Sequence, residues 1–222
     1  AAAEAGVPVV TGDTKVVGRG GADGLFVATT GIGRRLPGAR LSAASARPGD
    51  AVLLSGPIGQ HGVTILSVRE GLGFDGEVAS DTRALHRLAA AVLEAGGPAV
   101  HAMRDPTRGG LASALNEIAQ ASGVGVRLEE SAIPVPPAVA AACEMLGLDP
   151  VHVANEGCLV AFVAPEAAEA TLAAMRSRPE GTGAVQVGVV TDHQPGRVTT
   201  RTLVGSHRTV DMLVGEQLPR IC

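Results

Sequence analysis

Residues 158–191 read CLVAFVAPEAAEATLAAMRSRPEGTGAVQVGVVT, and the pattern changes twice along this stretch. Residues 158–164 form an unbroken apolar run that reads as a strand, Pro165 opens a helix predicted over 165–177, and the Val-rich run 185–191 reads as a second strand. The same alternation extends outward on both sides. Upstream, residues 51–55 are a short buried strand, followed by the glycine loop 56–62 and a helical stretch to Arg69. Leu85, Leu88, Ala89, Val92 and Leu93 recur at i, i+3, i+4, i+7 and i+8, which predicts a helix starting near Ser80 and stopping at Gly96-Gly97. Further helices are predicted over 111–121, behind a possible N-cap at Thr107, and over 137–146, stopped by Gly147. Strands are predicted at 125–128 and 198–204, and 23–30 reads as a strand returning from the turn 18–21. Helices and strands alternate without strict βαβ regularity, so the predicted class is α+β, or mixed α/β.

The composition bounds what such a fold can do. The chain has 222 residues, 18 basic and 22 acidic, for a net charge of −4; 45% of residues are hydrophobic against 18% charged, which describes a globular chain rather than a disordered one. The only aromatic residues are Phe26, Phe74 and Phe162, and the balance is acidic, so the stacking faces and basic groove of a single-strand nucleic-acid module are missing. No apolar run approaches the roughly 18 residues of a membrane helix. Cys143, Cys158 and Cys222 are odd in number and widely spaced, which argues against a disulfide or structural-zinc scaffold and fits a reducing cytoplasm. The chain opens Ala-Ala-Ala-Glu without Met, so it is expected to begin inside a longer protein. Residues 31–50 read as a linker, and 215–222 as a mobile tail.

Five places could carry chemistry. Asp13, Thr14 and Lys15, the chain's only lysine, share one turn that could offer a carboxylate to Mg²⁺ and an ammonium to phosphate, although a plain surface turn is the simpler reading. The loop 56–62 has the glycines of a phosphate loop without its Lys-Ser/Thr ending, and reads as a tight turn in which His61 makes a structural hydrogen bond. Arg104-Asp105-Pro106-Thr107-Arg108-Gly109-Gly110 places two arginines, a carboxylate and two glycines before a helix whose first N–H groups attract anions, and an ordinary capped helix with a surface ion pair is an equal reading. Asn155-Glu156-Gly157 puts a carboxylate at the mouth of the apolar strand 158–164, where it could act as a general base, although a turn-forming Asn-Glu-Gly is the simpler reading. Cys222 is the last residue, on a segment where packing explains a cysteine poorly; it suits a thiol carrying a covalent group on an arm, or else is an accidental terminal cysteine.

The ending Leu218-Pro219-Arg220-Ile221-Cys222, together with 104–111, Asn116, Glu117, Asn155-Glu156-Gly157 and Gly12 to Val17, resembles the HypE hydrogenase-maturation family of the aminoimidazole ribonucleotide synthetase superfamily. The resemblance covers essentially the whole chain. It implies an aminoimidazole ribonucleotide synthetase-like fold in which 1–47 is the remnant of an N-terminal ATP-binding and dimerisation domain with its linker, 48–214 the C-terminal α/β domain, and 215–222 the tail with the reactive cysteine. It also implies ATP-dependent dehydration of an S-carbamoyl group on Cys222 to a thiocyanate, the cyanide donor for the iron of a [NiFe]-hydrogenase precursor. Glu156 is then the base and Lys15 the stabiliser of developing charge. Asp13, Thr14, Asp105, Thr107, Arg108, Gly109, Gly110 and Asn155 would bind the nucleotide, with Asp13 and Asp105 contacting Mg²⁺. Implied partners are the carbamoyltransferase HypF, the HypC–HypD iron scaffold and a second copy of the chain. One departure is Cys158, where the family more usually has a polar residue. Two further readings stand beside this one: a non-catalytic docking and carrier module for the terminal thiol, and a kinase-like or selenophosphate-forming member of the superfamily, which the terminal cysteine disfavours.

Overall fold

The computed structural model describes residues 1–21, 24–36, 38–73 and 78–212. Its centre is a seven-stranded sheet in the order β2-β4-β1-β5-β3-β6-β7, made of β1 (Ala51–Leu54), β2 (Val100–Arg104), β3 (Gly125–Glu129), β4 (Val160–Val163), β5 (Val185–Thr191), β6 (Val198–Arg201) and β7 (His207–Thr209). Every pairing is antiparallel except β3 with β6. The helices are α1 (Ala2–Ala5), α2 (Gln60–Glu70), α3 (His86–Gly96), α4 (Gly110–Ser122), α5 (Pro137–Leu146) and α6 (Pro165–Arg176).

The apolar runs in β1 and β4 arise because both strands are buried on both faces. Val52, Leu54, Val160 and Phe162 pack with Leu111, Leu115 and Ile118 of α4, while Leu53, Ala161 and Val163 pack with Leu88 and Val92 of α3 and Met175 of α6. Adjacent residues of a strand point to opposite sides, so one apolar run supplies two cores. Each fully buried Leu, Val or Phe stabilises the fold by roughly 1.5 to 3 kcal/mol. A third, smaller cluster joins Val63 of α2 to Val139, Ala142 and Cys143 of α5 and to Val153. Asp50, buried just ahead of β1, binds the Nδ1 of buried His101 at 2.8 Å and accepts from the N–H of Arg47, fastening the end of the 31–50 segment to β2.

Several sequence expectations need correction. The strand predicted over 23–30 is absent from its described part, 24–30, which has no regular structure and leaves Leu25 85% exposed; a strand needs a hydrogen-bonded neighbour, and none lies against it among the described residues. The helix predicted from Ser80 begins at His86, because 80–83 runs as a loop whose polar side chains bond elsewhere. Thr107 is not the N-cap of α4. Gly109 is, with φ +68°, and the Thr107 carbonyl accepts from the N–H of Gly110. The last predicted strand stops at Arg201, where Thr202 and Ser206 close a turn, and β2 and β7 were not anticipated. The apolar side chains of Val9, Val10, Val16 and Ile32 are exposed.

Candidate functional site

Three loops from distant parts of the chain meet at Asn155-Glu156-Gly157. Asn155 is fully buried, and its amide is used up by the protein. Its Oδ1 accepts from the N–H of Gly59 at 2.7 Å, and its Nδ2 donates to the carbonyls of Pro106 and Val153, each at 3.0 Å. Its own N–H also donates to Pro106. One side chain therefore ties the glycine loop 56–62 and the loop 104–110 to the turn that carries Glu156. Both of its amide donors are spent on protein carbonyls, and Asn155 sets the positions of the loops.

The next two residues are held from the other side. The N–H of Glu156 donates to one carboxylate oxygen of Asp81 at 3.1 Å, and that of Gly157 donates to the other at 3.0 Å. Arg83 Nε donates to the Gly157 carbonyl at 2.8 Å. A Cβ on Gly157 would lie 1.7 Å from the carbonyl oxygen of Asp81, so only glycine allows the loop to lie this close. The half-buried Glu156 carboxylate has no hydrogen bond or ion pair among the described residues. Asp81 and Arg83 went unnoticed in the sequence, which carries no local signal for a contact between residues 75 apart.

Gly110 answers to packing as well. Its φ is +63°, and a Cβ there would stand 2.6 Å from the carbonyl oxygens of both Val151 and Val153. Its N–H is given to the Thr107 carbonyl, and the 151–153 backbone packs against its Cα. Gly109 is tight against Ser113, whose Oγ would lie 2.1 Å from an added Cβ. Asp105 and Arg108 are exposed and Thr107 is half-buried at the same helix entry, and Arg104 pairs with Glu117. A cavity of about 90 Å³ beside Asp149, Val151, Thr200 and Arg208 is lined by neither the 104–110 loop nor the 155–157 turn.

The turn with Asp13, Thr14 and Lys15 is not brought to this place. All three are exposed, and the one bond there is local, from the Thr14 N–H to the Asp13 carboxylate at 2.8 Å. Among the described residues no group of three His, Cys, Asp or Glu could cage a metal. Asp13 and Asp105 stand as single exposed carboxylates, the form in which Mg²⁺ is held together with phosphate oxygens. Cys222 lies outside the described residues. Burial pushes the Cys158 thiol above its ordinary range; the Ser55 hydroxyl bonded to it opposes this and the charge of Asp81 adds to it. Burial raises the Cys143 thiol in the same way. Neither helix nor loop among the described residues offers an apolar span long enough to cross a membrane as a helix.

A mixed sheet covered by α4 on one face and by α3 and α6 on the other, with a glycine-tight loop at the α4 entry, defines an aminoimidazole ribonucleotide synthetase-type domain. The family described as "AIR synthase related protein, C-terminal domain" matches residues 47–201. A carbamoyl dehydratase HypE from Azotobacter vinelandii is 58% identical over 222 residues, all of this chain and 65% of that protein. A crystal structure of the hydrogenase maturation protein HypE is 46% identical, with a TM-score of 0.92 over all of this chain and 70% of that one. The chain belongs to the HypE family. It spans about two thirds or slightly less of the length of its curated relatives, between 63 and 65% for the first five. Two further solved structures match: HypE in complex with ATP, 46% identical with a TM-score of 0.77 over 82% of this chain and 55% of that one, and a HypE–HypF complex, 43% identical with a TM-score of 0.76 over 79% and 57%.

Proposed function

We propose that this chain carries the acid–base half of a hydrogenase-maturation enzyme that dehydrates an S-carbamoyl group on Cys222 to a thiocyanate at the expense of ATP. The observation that carries the reading is that the hydrogen-bonded backbone groups of the 155–157 turn are bonded to other loops, while the Glu156 carboxylate has no partner among the described residues. A carboxylate on so constrained a backbone is placed to take a proton.

The chemistry follows from the leaving group. A carbamoyl oxygen leaves poorly, so transfer of the terminal phosphoryl group of ATP to it, with loss of one N–H proton, turns it into a phosphate ester. Removal of the second N–H proton by Glu156 then expels phosphate and forms the C≡N bond, leaving ADP, phosphate and Cys222-S-C≡N. Lys15 would stabilise charge on the carboxamide or phosphate, with Thr14 beside it; Asp105, Thr107, Arg108 and Gly109 would face the phosphates at the α4 entry. Asp13 and Asp105 would hold a Mg²⁺, which supplies charge neutralisation for those phosphates.

The reading requires the tail to reach the α4 entry. The chain is fastened by the Asn116 Nδ2 donating to the Val210 carbonyl at 2.8 Å and by His152 bonded to the Asp211 carbonyl at 3.0 Å. Ten residues beyond Met212 span at most about 33 to 36 Å, whereas Asn116 stands only about 9 Å along α4 from its start. The HypE–ATP and HypE–HypF structures support ATP as co-substrate and HypF as the source of the carbamoyl group. A HypC–HypD iron scaffold as acceptor, a homodimer covering the exposed apolar residues of 7–36, a division at 47/48 and 214/215, and a cytoplasmic location complete the reading.

A second reading, a docking and carrier module without catalysis, is favoured by the separation of Lys15 from Glu156. The two differ on one variant in the full-length protein. With Glu156→Gln, intact mass should show the carbamoyl adduct on Cys222 accumulating and thiocyanate formation falling by about 10² to 10⁴. Undiminished thiocyanate formation would remove Glu156 from the mechanism.

A further inference from the structure

We propose that Asp81 is the positioning residue for Glu156, acting through the backbone of the turn rather than on the substrate; this rests on the reading of Glu156 as the base. The two N–H groups it receives belong to consecutive residues, Glu156 and Gly157, and each goes to a different oxygen, at 3.1 and 3.0 Å. A carboxylate is the one common side chain that presents two charged acceptors at that spacing, and such bonds are stronger than neutral ones. The peptide that carries the Glu156 Cα is thereby fixed from the side opposite Asn155.

The segment that brings Asp81 here is itself anchored. The Ser80 hydroxyl is hydrogen-bonded to His61 Nδ1 on α2 at 2.8 Å and to the Thr82 hydroxyl at 2.7 Å, and Arg83 Nε grips the Gly157 carbonyl. Ser80-Asp81-Thr82-Arg83 therefore links the start of α2 to the Glu156 turn. This arrangement explains why the chain stays extended here when the apolar stripe could have carried α3 further back. With Asp81 lost, the two N–H groups would seek other acceptors and the turn would shift. A displacement of about 1 Å between base and reacting proton can lower a rate by about 10²-fold.

The test uses the full-length protein and follows thiocyanate formation on Cys222 by intact mass in single turnovers. The variants are Asp81→Asn, Glu156→Gln and the double substitution, with ATP affinity measured by calorimetry. Asp81→Asn keeps the size but turns an amide NH₂ toward one of the two N–H groups. The expected result is a loss of about 10- to 100-fold in the dehydration step with ATP affinity within about twofold of wild type, and no further loss when Asp81→Asn is added to Glu156→Gln. An additional tenfold loss in the double variant, or an Asp81→Asn rate within about twofold of wild type while Glu156→Gln is inactive, would overturn the positioning role and leave Glu156 as the base. A fully active Glu156→Gln would overturn the reading of Glu156 itself. If Asp81→Asn fails to fold, Arg83→Met on the exposed end of the same loop decides: a loss of about threefold or more confined to dehydration supports the clamp, and an unchanged rate overturns it.

Discussion

Gly110 and Gly147 share a left-handed φ, +63° and +67°, and have opposite surroundings. An alanine at either position pays about 1 to 2 kcal/mol for adopting a left-handed conformation. At Gly147, the C-cap of α5, nothing lies within 4 Å of the added Cβ, so that term is the whole cost. At Gly110 the Cβ would sit 2.6 Å from two carbonyl oxygens and 2.7 Å from the His152 carbonyl carbon, all backbone atoms that no rotamer change can move. Relief requires the 151–153 segment or the start of α4 to shift by several tenths of an ångström, and overpacking of this kind costs about 1 to 3 kcal/mol more. Because the conformational term is common to both variants, their difference isolates the packing term. Urea denaturation of Gly110→Ala and Gly147→Ala should therefore give midpoints separated by the equivalent of about 1 to 3 kcal/mol, with the same dependence on urea. A separation below about 0.5 kcal/mol would show that the α4 entry yields easily, and would refute the argument that this glycine is required by the 151–153 backbone.

Two further outcomes follow from the same geometry. Asn155→Ala should destabilise the fold by roughly 2 to 5 kcal/mol, since it strands the buried Gly59 N–H and removes both side-chain donors to Pro106 and Val153; chemical denaturation measures this, and a change under about 1 kcal/mol would mean that water replaces the amide. A thiol titration of the native protein near pH 8 should find Cys222 reactive and Cys143 and Cys158 protected, all three reacting after unfolding; rapid labelling of Cys158 in the native state would contradict its burial. The sign of the pH effect is set by the direction of those shifts. Both thiols have folded-state pKa values above their unfolded ones, so their contribution is complete below about pH 8.5 and declines as the pH rises through the unfolded-state value; thermal scans from pH 7 to 10 should show stability falling at the alkaline end, and less so in Cys158→Ala.

What the sequence determined by itself was whatever depends on neighbours a few residues away. The helix over Pro137–Leu146 with its glycine stop and the strand Val185–Thr191 were legible because periods of 3.6 and 2, a proline at a helix start and a glycine at its end are local quantities. The apolar runs at 51–55 and 158–164 announced strands but not that these strands pair, Ala51 opposite Val163 and Leu54 opposite Val160. Glu156 stood out because an acidic residue directly precedes so apolar a strand. The tertiary structure alone decided the rest. It left 24–30 without a strand, since that conformation needs a hydrogen-bonded partner that local sequence cannot supply. It ended the helical pattern at His86 because Ser80, Asp81 and Arg83 bind groups elsewhere in the chain, and it made Asn155 the joint between three loops. The contacts that make the Glu156 turn rigid span 49 to 96 residues of sequence, and their energy exists only once the sheet has brought those loops together.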